Sequence, residues 1–352
     1  MKTRILLTAF VLVLLSGCDI TKSNLTDDEN VVSGFKATNG NTLIATDEAS
    51  CVGAVTATLN GTSDAELPNN SYFYFYFSPD CTTANQLLQS GLVTPANRSG
   101  SKITASLKEL YLDYGKKYYF MAVVKIDGQP MCGEVKTFTT QLSAGPAVDM
   151  GLSVKWASCN VGASNPEQPG GLYQWAGTTD VTSNGSDLTW QNCPYHSGKD
   201  YKSGWTKYVT SDHSSYWSGK GSADNKKVLD SSDDIAHVKL GGKWRMPTYK
   251  ELNELYSNCT ATWMTINGKS GFIFTSDKEG YTGSCIFLPA AGWRDGKNLY
   301  DVGTFGYYWA STICDDSDNP AYGSVVSFRS AGLARGFHRR YYAYSVRPVQ
   351  PM

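Results

Sequence analysis

Residues 71–80 read SYFYFYFSPD, and this run decides the class of fold. Tyr and Phe fill every position from 72 to 77, and both residue types are favoured in β-strands. Ser-Pro-Asp then follows as a turn signal. The run therefore predicts a strand that ends at a turn, and similar runs on both sides of it predict a chain that is mainly β.

Further strand-like runs, each close to turn residues, flank this segment. They are residues 54–59 before Asn60-Gly61, residues 118–126 before Asp127-Gly128, and residues 134–140. Strands and turns at this spacing are typical of an antiparallel sandwich. We therefore expect an N-terminal antiparallel β-sandwich over residues 37–141, with a helical turn within 85–90 and a linker at 142–146 (LSAGP).

Two features of this region carry a resemblance to a known family. Leu112-x-x-Gly115-x-x-Tyr118 is similar to the tyrosine corner of fibronectin type III domains, and residues 118–124 with 133–140 are similar to their last hairpin. The resemblance covers most of 37–141. It implies a fibronectin type III-like spacer or adhesion module with no chemistry of its own.

The length of 352 residues suggests a second domain, which we place at residues 147–352. One segment there has a clear helix signature, because Thr248 and Glu251 have the spacing of a capping box and two leucines follow on one helical face. We expect this helix to end near Asn258. The rest is rich in Gly, Ser, Trp and Tyr, which favours short strands and long loops.

Five ordered motifs of this second region resemble one family. They are residues 148–163 (VDMGLSVKWASCNVGA), 241–248 (GGKWRMPT), 288–294 (LPAAGWR), 308–312 (YWAST) and 345–349 (SVRPV). Together they resemble the bacterial major-paralogous (FISUMP) domains, whose C-type-lectin-like fold is shared with formylglycine-generating enzyme. The resemblance covers nearly all of 147–349 and implies an α+β C-type-lectin-like binding domain rich in loops.

The motif residues make physical sense as a scaffold. Trp156, Trp244 and Trp309 are expected to be core anchors, since a buried Trp removes a large apolar area from water. Arg245 and Arg347 are expected to form structural ion pairs or backbone hydrogen bonds rather than to contact a ligand.

The stretch 293–344 alternates scaffold blocks with unpatterned polar and aromatic residues. No acidic residue follows Asp318, whereas several arginines do. Tyr and Arg offer a broad contact area and directional donors, so this stretch predicts a binding face that prefers anions, an expectation resting mainly on the family resemblance. The predicted ligand-binding residues are Trp293, Arg294, Tyr307, Arg329, Arg335, Phe337, His338, Arg339, Arg340, Tyr341 and Tyr342. The alternative is a loop-rich surface whose arginines neutralise the acidic loop 315–318.

The first residues read MKTRILLTAFVLVLLSGC, with a positive start and a short apolar stretch. Leu15-Ser16-Gly17-Cys18 resembles a bacterial lipobox, in which the Cys18 thiol receives diacylglycerol. We therefore expect a lipoprotein signal peptide at 1–18 and a flexible tether at 19–36. An ordinary signal peptide with a chance cysteine is the alternative. The lipoprotein interpretation predicts a cell-envelope protein, anchored by lipid to the outer membrane and surface-exposed.

Several chemistries have no support in the sequence. A net charge of -1 argues against nucleic-acid binding, and the four histidines have no zincin spacing. There is no Gly-x-Ser-x-Gly elbow, Walker loop or Rossmann glycine pattern. We predict no catalytic residue, cofactor or metal, although calcium at 315–318 is conceivable from the clustered carboxylates. The cysteines after Cys18 permit disulfides in an exported chain, and Cys81 with Cys132 is one conceivable pair.

The predicted function is therefore that of a surface lipoprotein whose C-terminal domain binds a glycan, a peptide or a partner protein on a β-sandwich stalk. Three alternatives remain open. The protein could be a variable receptor diversified by a retroelement, as occurs on the same fold, or a structural, pilus-associated subunit. The third is an enzyme of the formylglycine-generating type, which would require a reactive free thiol in a cleft.

Overall fold

The structure is a computed structural model that describes residues 43–352 except 65, 69, 108–111, 184, 199–202 and 315–319. The predictions for the signal peptide, Cys18, the tether and the acidic loop 315–318 lie outside the described residues. The described chain is mainly β, as predicted. None of its described helices is long and apolar enough to cross a bilayer.

The N-terminal part, residues 43–141, forms two antiparallel sheets. Its strands are β1 (Ile44–Thr46), β2 (Ala57–Ser63), β3 (Tyr72–Ser78), β4 (Leu92–Pro95), β5 (Asn97–Ser99), β6 (Lys102–Leu107), β7 (Lys117–Ile126), β8 (Gln129–Cys132) and β9 (Lys136–Thr139). One sheet has the order β1-β2-β6-β5. The other has the order β4-β3-β7-β8, and β9 also pairs with β7.

The two sheets share one apolar core. Leu59 and Ile103 of the first sheet and Phe75 and Phe120 of the second are fully buried in the same cluster. The other face of β3 is covered as well, because the helix α1 (Ala84–Ser90) lays Leu87 over it. The second half of β3, Phe75–Ser78, is therefore buried on both faces, and apolar residues follow one another there without the alternation of a half-exposed strand.

The turn chemistry of the N-terminal part was predicted correctly at one position and wrongly at another. Asp127 and Gly128 join β7 to β8 with φ of 50° and 80°, as a tight hairpin requires. Asn60-Gly61, in contrast, continues β2. A Cβ at Gly61 would lie 2.6 Å from Ala45 O, so this glycine permits the close approach of β1 rather than a turn.

The Tyr118 hydroxyl accepts a hydrogen bond from Asp113 N at 2.9 Å. This is the contact that a tyrosine corner makes, with the ring on a strand and the hydroxyl on the preceding connection. The ring stacks on Phe138 of β9 at 5.4 Å between centroids. The corner therefore holds the connection before β7 against the core.

The C-terminal part, residues 147–352, consists of short sheets and long connections. Its strands are β10 (Ala147–Val148), β11 (Val154–Ala157), β12 (Tyr173–Gln174), β13 (Cys259–Ile266), β14 (Lys269–Ser276), β15 (Cys285–Pro289), β16 (Trp293–Asp295), β17 (Asn298–Tyr300), β18 (Phe305–Ile313), β19 (Tyr322–Arg329), β20 (Gly332–Arg339), β21 (Ala343–Tyr344) and β22 (Val349–Pro351). The sheet orders are β10-β11-β22, β12-β21-β16-β17, β13-β14-β15 and β18-β19-β20. Short 3-10 helices lie at Trp190–Asn192, Ser211–Tyr216 and Ser231–Asp233.

The predicted helix is present as α3 (Tyr249–Asn258). Thr248 and Glu251 form both hydrogen bonds of the capping box, and Leu252 and Leu255 are buried. A second helix, α2 (Ile235–Leu240), was not predicted. It is too short to show a helical period, and its start depends on the side chain of Asp234, which accepts from Ala236 N and His237 N.

The predicted scaffold roles are confirmed for most motif residues. Trp156 and Trp309 are fully buried. Arg245 pairs with Glu251 through two hydrogen bonds. Arg347 is buried and donates to Asn160 Oδ1 and to three backbone carbonyls. The prediction for Trp244 is wrong, because its segment forms only an isolated bridge and its ring lies partly exposed in an open cleft.

The N-terminal and C-terminal parts are in contact. Ala54 is buried in a cluster with Ile273 and Phe287 of the C-terminal part. Thr56 Oγ1 donates to Thr282 O, and Ser143 Oγ of the predicted linker accepts from Cys285 N at 2.8 Å. The linker therefore packs against the C-terminal part.

Candidate ligand-binding site

An open pocket of about 290 Å³ lies where β16, β18, β20 and β21 meet. Its walls come from segments that are distant in sequence, and most of them are aromatic. The lining residues are Trp293, Tyr307, Tyr322, Phe337, His338, Arg339, Tyr342 and Tyr344. A concave, largely aromatic site with a few polar groups is the usual form of a ligand-binding pocket.

The aromatic rings hold one another in fixed positions. Trp293 meets Tyr342 edge-on at 5.0 Å between centroids, and Tyr307 stacks on Tyr344 at 5.0 Å. Trp293 Nε1 also donates to Asp301 Oδ2 at 2.9 Å. Because each ring contacts other rings, little side-chain entropy remains to be lost when a ligand binds.

Tyr344 forms the buried base of the pocket. Its ring lies 4.4 Å from that of Trp309, one of the core anchors, and its hydroxyl is bonded to His338 Nδ1. The pocket is thus built directly on the scaffold. Rigid support of this kind places binding groups more precisely than a loop does.

Burial shifts the pKa of three tyrosines and one histidine of the pocket toward the neutral form. It raises the pKa of Tyr342 to about 12, and it raises the pKa of Tyr344 and Tyr307 as well. Burial also lowers the pKa of His338. The tyrosine hydroxyls therefore remain available as donors, and Arg339 is the cation among the lining residues.

Six of the predicted ligand-binding residues meet in this pocket. They are Trp293, Tyr307, Phe337, His338, Arg339 and Tyr342. Tyr341 lies just outside it, where its hydroxyl accepts from Arg339 Nη1 at 2.8 Å and its ring contacts Tyr342. Tyr341 therefore helps to orient Arg339.

Arg294 and Arg340 do not belong to the binding surface. Arg294 is 3% exposed and donates to the carbonyls of Val181 and Ser186. Arg340 is 1% exposed, donates to two backbone carbonyls, and lies between the rings of Trp175 and Trp205. Both act in the scaffold, because each is buried and directs its guanidinium donors to backbone carbonyls away from the pocket.

Arg329 and Arg335 are exposed but do not line the pocket. The Arg329 guanidinium lies over the ring of Phe305 at 5.6 Å. Arg335 lies over Tyr256 at 5.9 Å and donates to Ser257 Oγ at 3.3 Å, both on α3. Arg329 thus ends the central strand β19, and Arg335 lies on the edge strand β20.

Two lining residues, Tyr322 and Tyr344, were missed by sequence reasoning. Tyr344 adjoins the SVRPV motif and ends the predicted stretch 293–344, but it was not named among the binding residues. A signal for it existed, because Tyr342 and Tyr344 are two residues apart in an extended segment and so share one face. Tyr322 had no such signal, since it reaches the pocket through its pairing with Arg339 in the β19–β20 register.

No disulfide joins the cysteines of the described residues. Cys81 and Cys132 lie in the same apolar cluster beneath α1. Burial raises the pKa of Cys132 to about 11 and that of Cys193 and Cys259 to about 12, so these thiols are protonated at neutral pH. Cys51 and Cys159 are partly exposed.

No protein-family model matches the chain, and no curated protein matches it in sequence. Two solved structures of the sensor domain of the anti-sigma factor RsgI4 in Pseudobacteroides cellulosolvens are 20% identical over 28% of this chain. The matched region spans 92% and 74% of the length of these two structures, and the TM-scores are 0.22 and 0.21. A DUF4784 family protein from Bacteroides caccae is 8% identical over 84% of this chain and 51% of its own, with a TM-score of 0.18. At these TM-scores the likenesses carry no inference about fold or function.

Proposed function

We propose that this protein is a lipid-anchored cell-envelope lipoprotein that binds a surface ligand through the pocket of its C-terminal part. The observation that carries the binding proposal is the convergence of six predicted residues on one aromatic pocket. The lipid anchor is proposed from the sequence around Cys18 alone. In this proposal the N-terminal sandwich is a stalk, and the ligand is a glycan, a peptide or a partner protein.

The pocket supports a binding role because its aromatic walls combine apolar area with polar edges. Trp and Tyr are enriched among the residues that dominate binding energies, and they lose little entropy on contact. The pocket also holds Arg339, which favours a ligand that carries an anionic or strongly polar group.

The test is a binding screen of the purified full chain, in detergent, against a glycan array and a displayed library of linear peptides. Any ligand found is then measured with Trp293→Ala and Tyr342→Ala. Loss of a central aromatic contact costs about 2 kcal/mol, so we expect binding about thirtyfold weaker. The matched control is Tyr72→Ala, an exposed tyrosine of the N-terminal part, which should bind normally.

Thermal unfolding of all three variants separates lost binding from lost folding. A ligand that binds Trp293→Ala and Tyr342→Ala as tightly as the unaltered chain would show that the pocket is not the binding site.

A further inference from the structure

Strand β20 lies at an edge of its sheet, and its end lines the pocket. The sheet order is β18-β19-β20, and no other described strand pairs with β20. Phe337, His338 and Arg339, the last residues of β20, are lining residues of the pocket. The pocket is therefore next to an open sheet edge.

The hydrogen-bond pattern of the β19–β20 hairpin shows which backbone groups face that edge. Arg340 N donates to Ala321 O at 2.9 Å, and Gly323 pairs with His338 in the same register. Residue pairs in an antiparallel ladder alternate between pairs that exchange backbone hydrogen bonds and pairs that do not. The even-numbered residues of β20 are bonded to β19, so the backbone N–H and C=O of Leu333, Arg335 and Phe337 point away from β19.

These outward groups have no hydrogen-bond partner among the described residues. A row of unpaired backbone groups on an edge strand is a template for one more strand. Peptide-binding domains use such an edge for affinity through the main chain and adjacent pockets for specificity. The edge of β20 offers the unpaired main-chain groups, and the adjacent pocket offers a place for a side chain.

The charge of the hairpin indicates the chemistry of the partner. Arg329 and Arg335 are exposed, and neither forms an ion pair with a described residue. The sequence from residue 319 to the end contains no Asp or Glu. An acidic segment is therefore complementary to this edge, and like charges would repel a basic one.

The size of the pocket indicates what part of the partner it holds. A volume of about 290 Å³ is at the small end of the range for pockets that enclose a whole ligand. Rings such as Trp293 and Tyr342 favour edge-on or offset contact with another ring. One aromatic side chain therefore suits this volume and these walls.

We propose that the partner is an extended acidic peptide segment that pairs with β20 as a fourth strand and inserts one aromatic side chain into the pocket. This inference rests on the proposed binding function of the pocket and names the class of ligand. The main-chain bonds would be made to Leu333, Arg335 and Phe337, with an acidic side chain of the segment beside Arg335, whereas Arg329 lies over Phe305 of β18 on the far side of β19.

The probe is a phage-displayed library of linear heptapeptides, panned against the full chain. We expect enrichment of sequences with one aromatic residue flanked by Asp or Glu. An enriched peptide is resynthesised with and without N-methyl groups on alternate residues, because N-methylation removes strand donors and leaves the side chains. Methylation of the residues that face β20 should weaken binding more than tenfold.

A matched pair of protein variants tests the edge separately from its charge. Arg335→Pro removes a backbone N–H that bonds to no described residue, so the β19 ladder stays intact, and Pro is tolerated on such an edge. Arg335→Ala removes the charge and the contacts with Tyr256 and Ser257 but keeps the backbone N–H, and Arg335→Pro loses the same side-chain contacts. We expect Arg335→Ala to weaken binding a few-fold in a salt-dependent way and Arg335→Pro to weaken it at least tenfold further.

The outcomes distinguish this inference from the proposed function. If Tyr342→Ala abolishes binding of the peptide while Arg335→Pro and N-methylation do not, the edge is not used and the pocket proposal stands. Failure to enrich any linear peptide, together with pocket-dependent binding of a glycan, would overturn the strand inference alone. Binding that neither Tyr342→Ala nor Arg335→Pro weakens would overturn both.

Discussion

Arg347 shows how one buried side chain can hold separate strands together. Its guanidinium donates to Asn160 Oδ1, to the carbonyls of Ala157 and Ser158 at the end of β11, and to Phe287 O in β15. The donors of a guanidinium are spread over a rigid plane, whereas a lysine carries its donors on one nitrogen. Only arginine can therefore satisfy all of these acceptors at once.

We predict that Arg347→Lys lowers the free energy of unfolding by about 3 kcal/mol or more, because buried carbonyls lose their partners. The exposed Arg335→Lys is the matched control and should change it by less than about 0.5 kcal/mol. Chemical denaturation of both variants measures the difference. Equal stability of the two would show that the hydrogen bonds of Arg347 are replaceable.

His338 links the stability of the pocket to pH. Burial lowers its pKa in the folded chain, so the unfolded chain takes up a proton more readily. Above the ordinary histidine pKa of about 6.5 both states are neutral and His338 adds no pH dependence. As the pH falls below that value the unfolded state binds more protons, and the free energy of unfolding decreases.

We therefore predict that the unaltered chain loses more stability between about pH 6.5 and 5 than His338→Asn does. Asn keeps a polar group near the Tyr344 hydroxyl but does not titrate. Thermal unfolding across this pH range measures the difference between the two profiles. Parallel profiles would mean that His338 is protonated as easily in the folded chain as in the unfolded one.

At the scale of elements, α1 and α2 differ in how their caps are used. Thr83 caps α1 within its own exposed turn, with Gln86 N donating to Thr83 Oγ1 at 3.3 Å. Asp234 caps α2 and also accepts from Met246 N, which precedes α3, at 2.8 Å. The buried carboxylate thus joins two helices, and burial raises its pKa.

We predict that Thr83→Ala costs about 1 kcal/mol and Asp234→Ala about 3 kcal/mol of unfolding free energy. The difference arises because Asp234→Ala leaves buried backbone donors without a partner. Denaturation curves of the two variants provide the measurement, with circular dichroism as a check that the folds are retained. If Asp234→Ala lowers the free energy of unfolding by no more than Thr83→Ala does, Asp234 acts only as an ordinary helix cap.

The same scale shows which elements can be predicted. The strand β3, the turn after β7 and the capping box of α3 were predicted because each depends on neighbouring residues. The helix α2 and the continuation of β2 through Asn60-Gly61 were not. Asp234 joins α2 to the segment before α3 by accepting from Met246 N, and Gly61 allows β1 to approach because it has no Cβ near Ala45 O. Neither partner is close in sequence, so a local pattern does not reveal these roles.

At the scale of the whole molecule, the proposed lipid anchor gives a direct prediction. Replacing Cys18 by Ser should abolish labelling of the chain by a radioactive or clickable fatty acid and move it from the membrane fraction to the soluble fraction. Two or more acyl chains are needed for a stable anchor, so the change in partitioning should be nearly complete.

Cys159→Ser is the matched control, because it removes a partly exposed cysteine that lies outside residues 1–18. Lipid labelling that persists in Cys18→Ser would disprove the lipobox interpretation and leave the ligand-binding proposal untouched.

The mainly β class, the helix α3, the structural roles of Arg245 and Arg347, and the stretch that contains the pocket residues could all be predicted from the amino-acid sequence. These features depend on residue type and on short spacing, which the chain carries without folding. Which residues of that stretch share the pocket depends on the folded arrangement of the strands. Arg339 and Arg340 are adjacent and chemically identical, yet one lines the pocket and the other is buried between Trp175 and Trp205. The side of an extended chain that faces solvent is set by what packs against the other side, and those partners come from segments far away in the sequence.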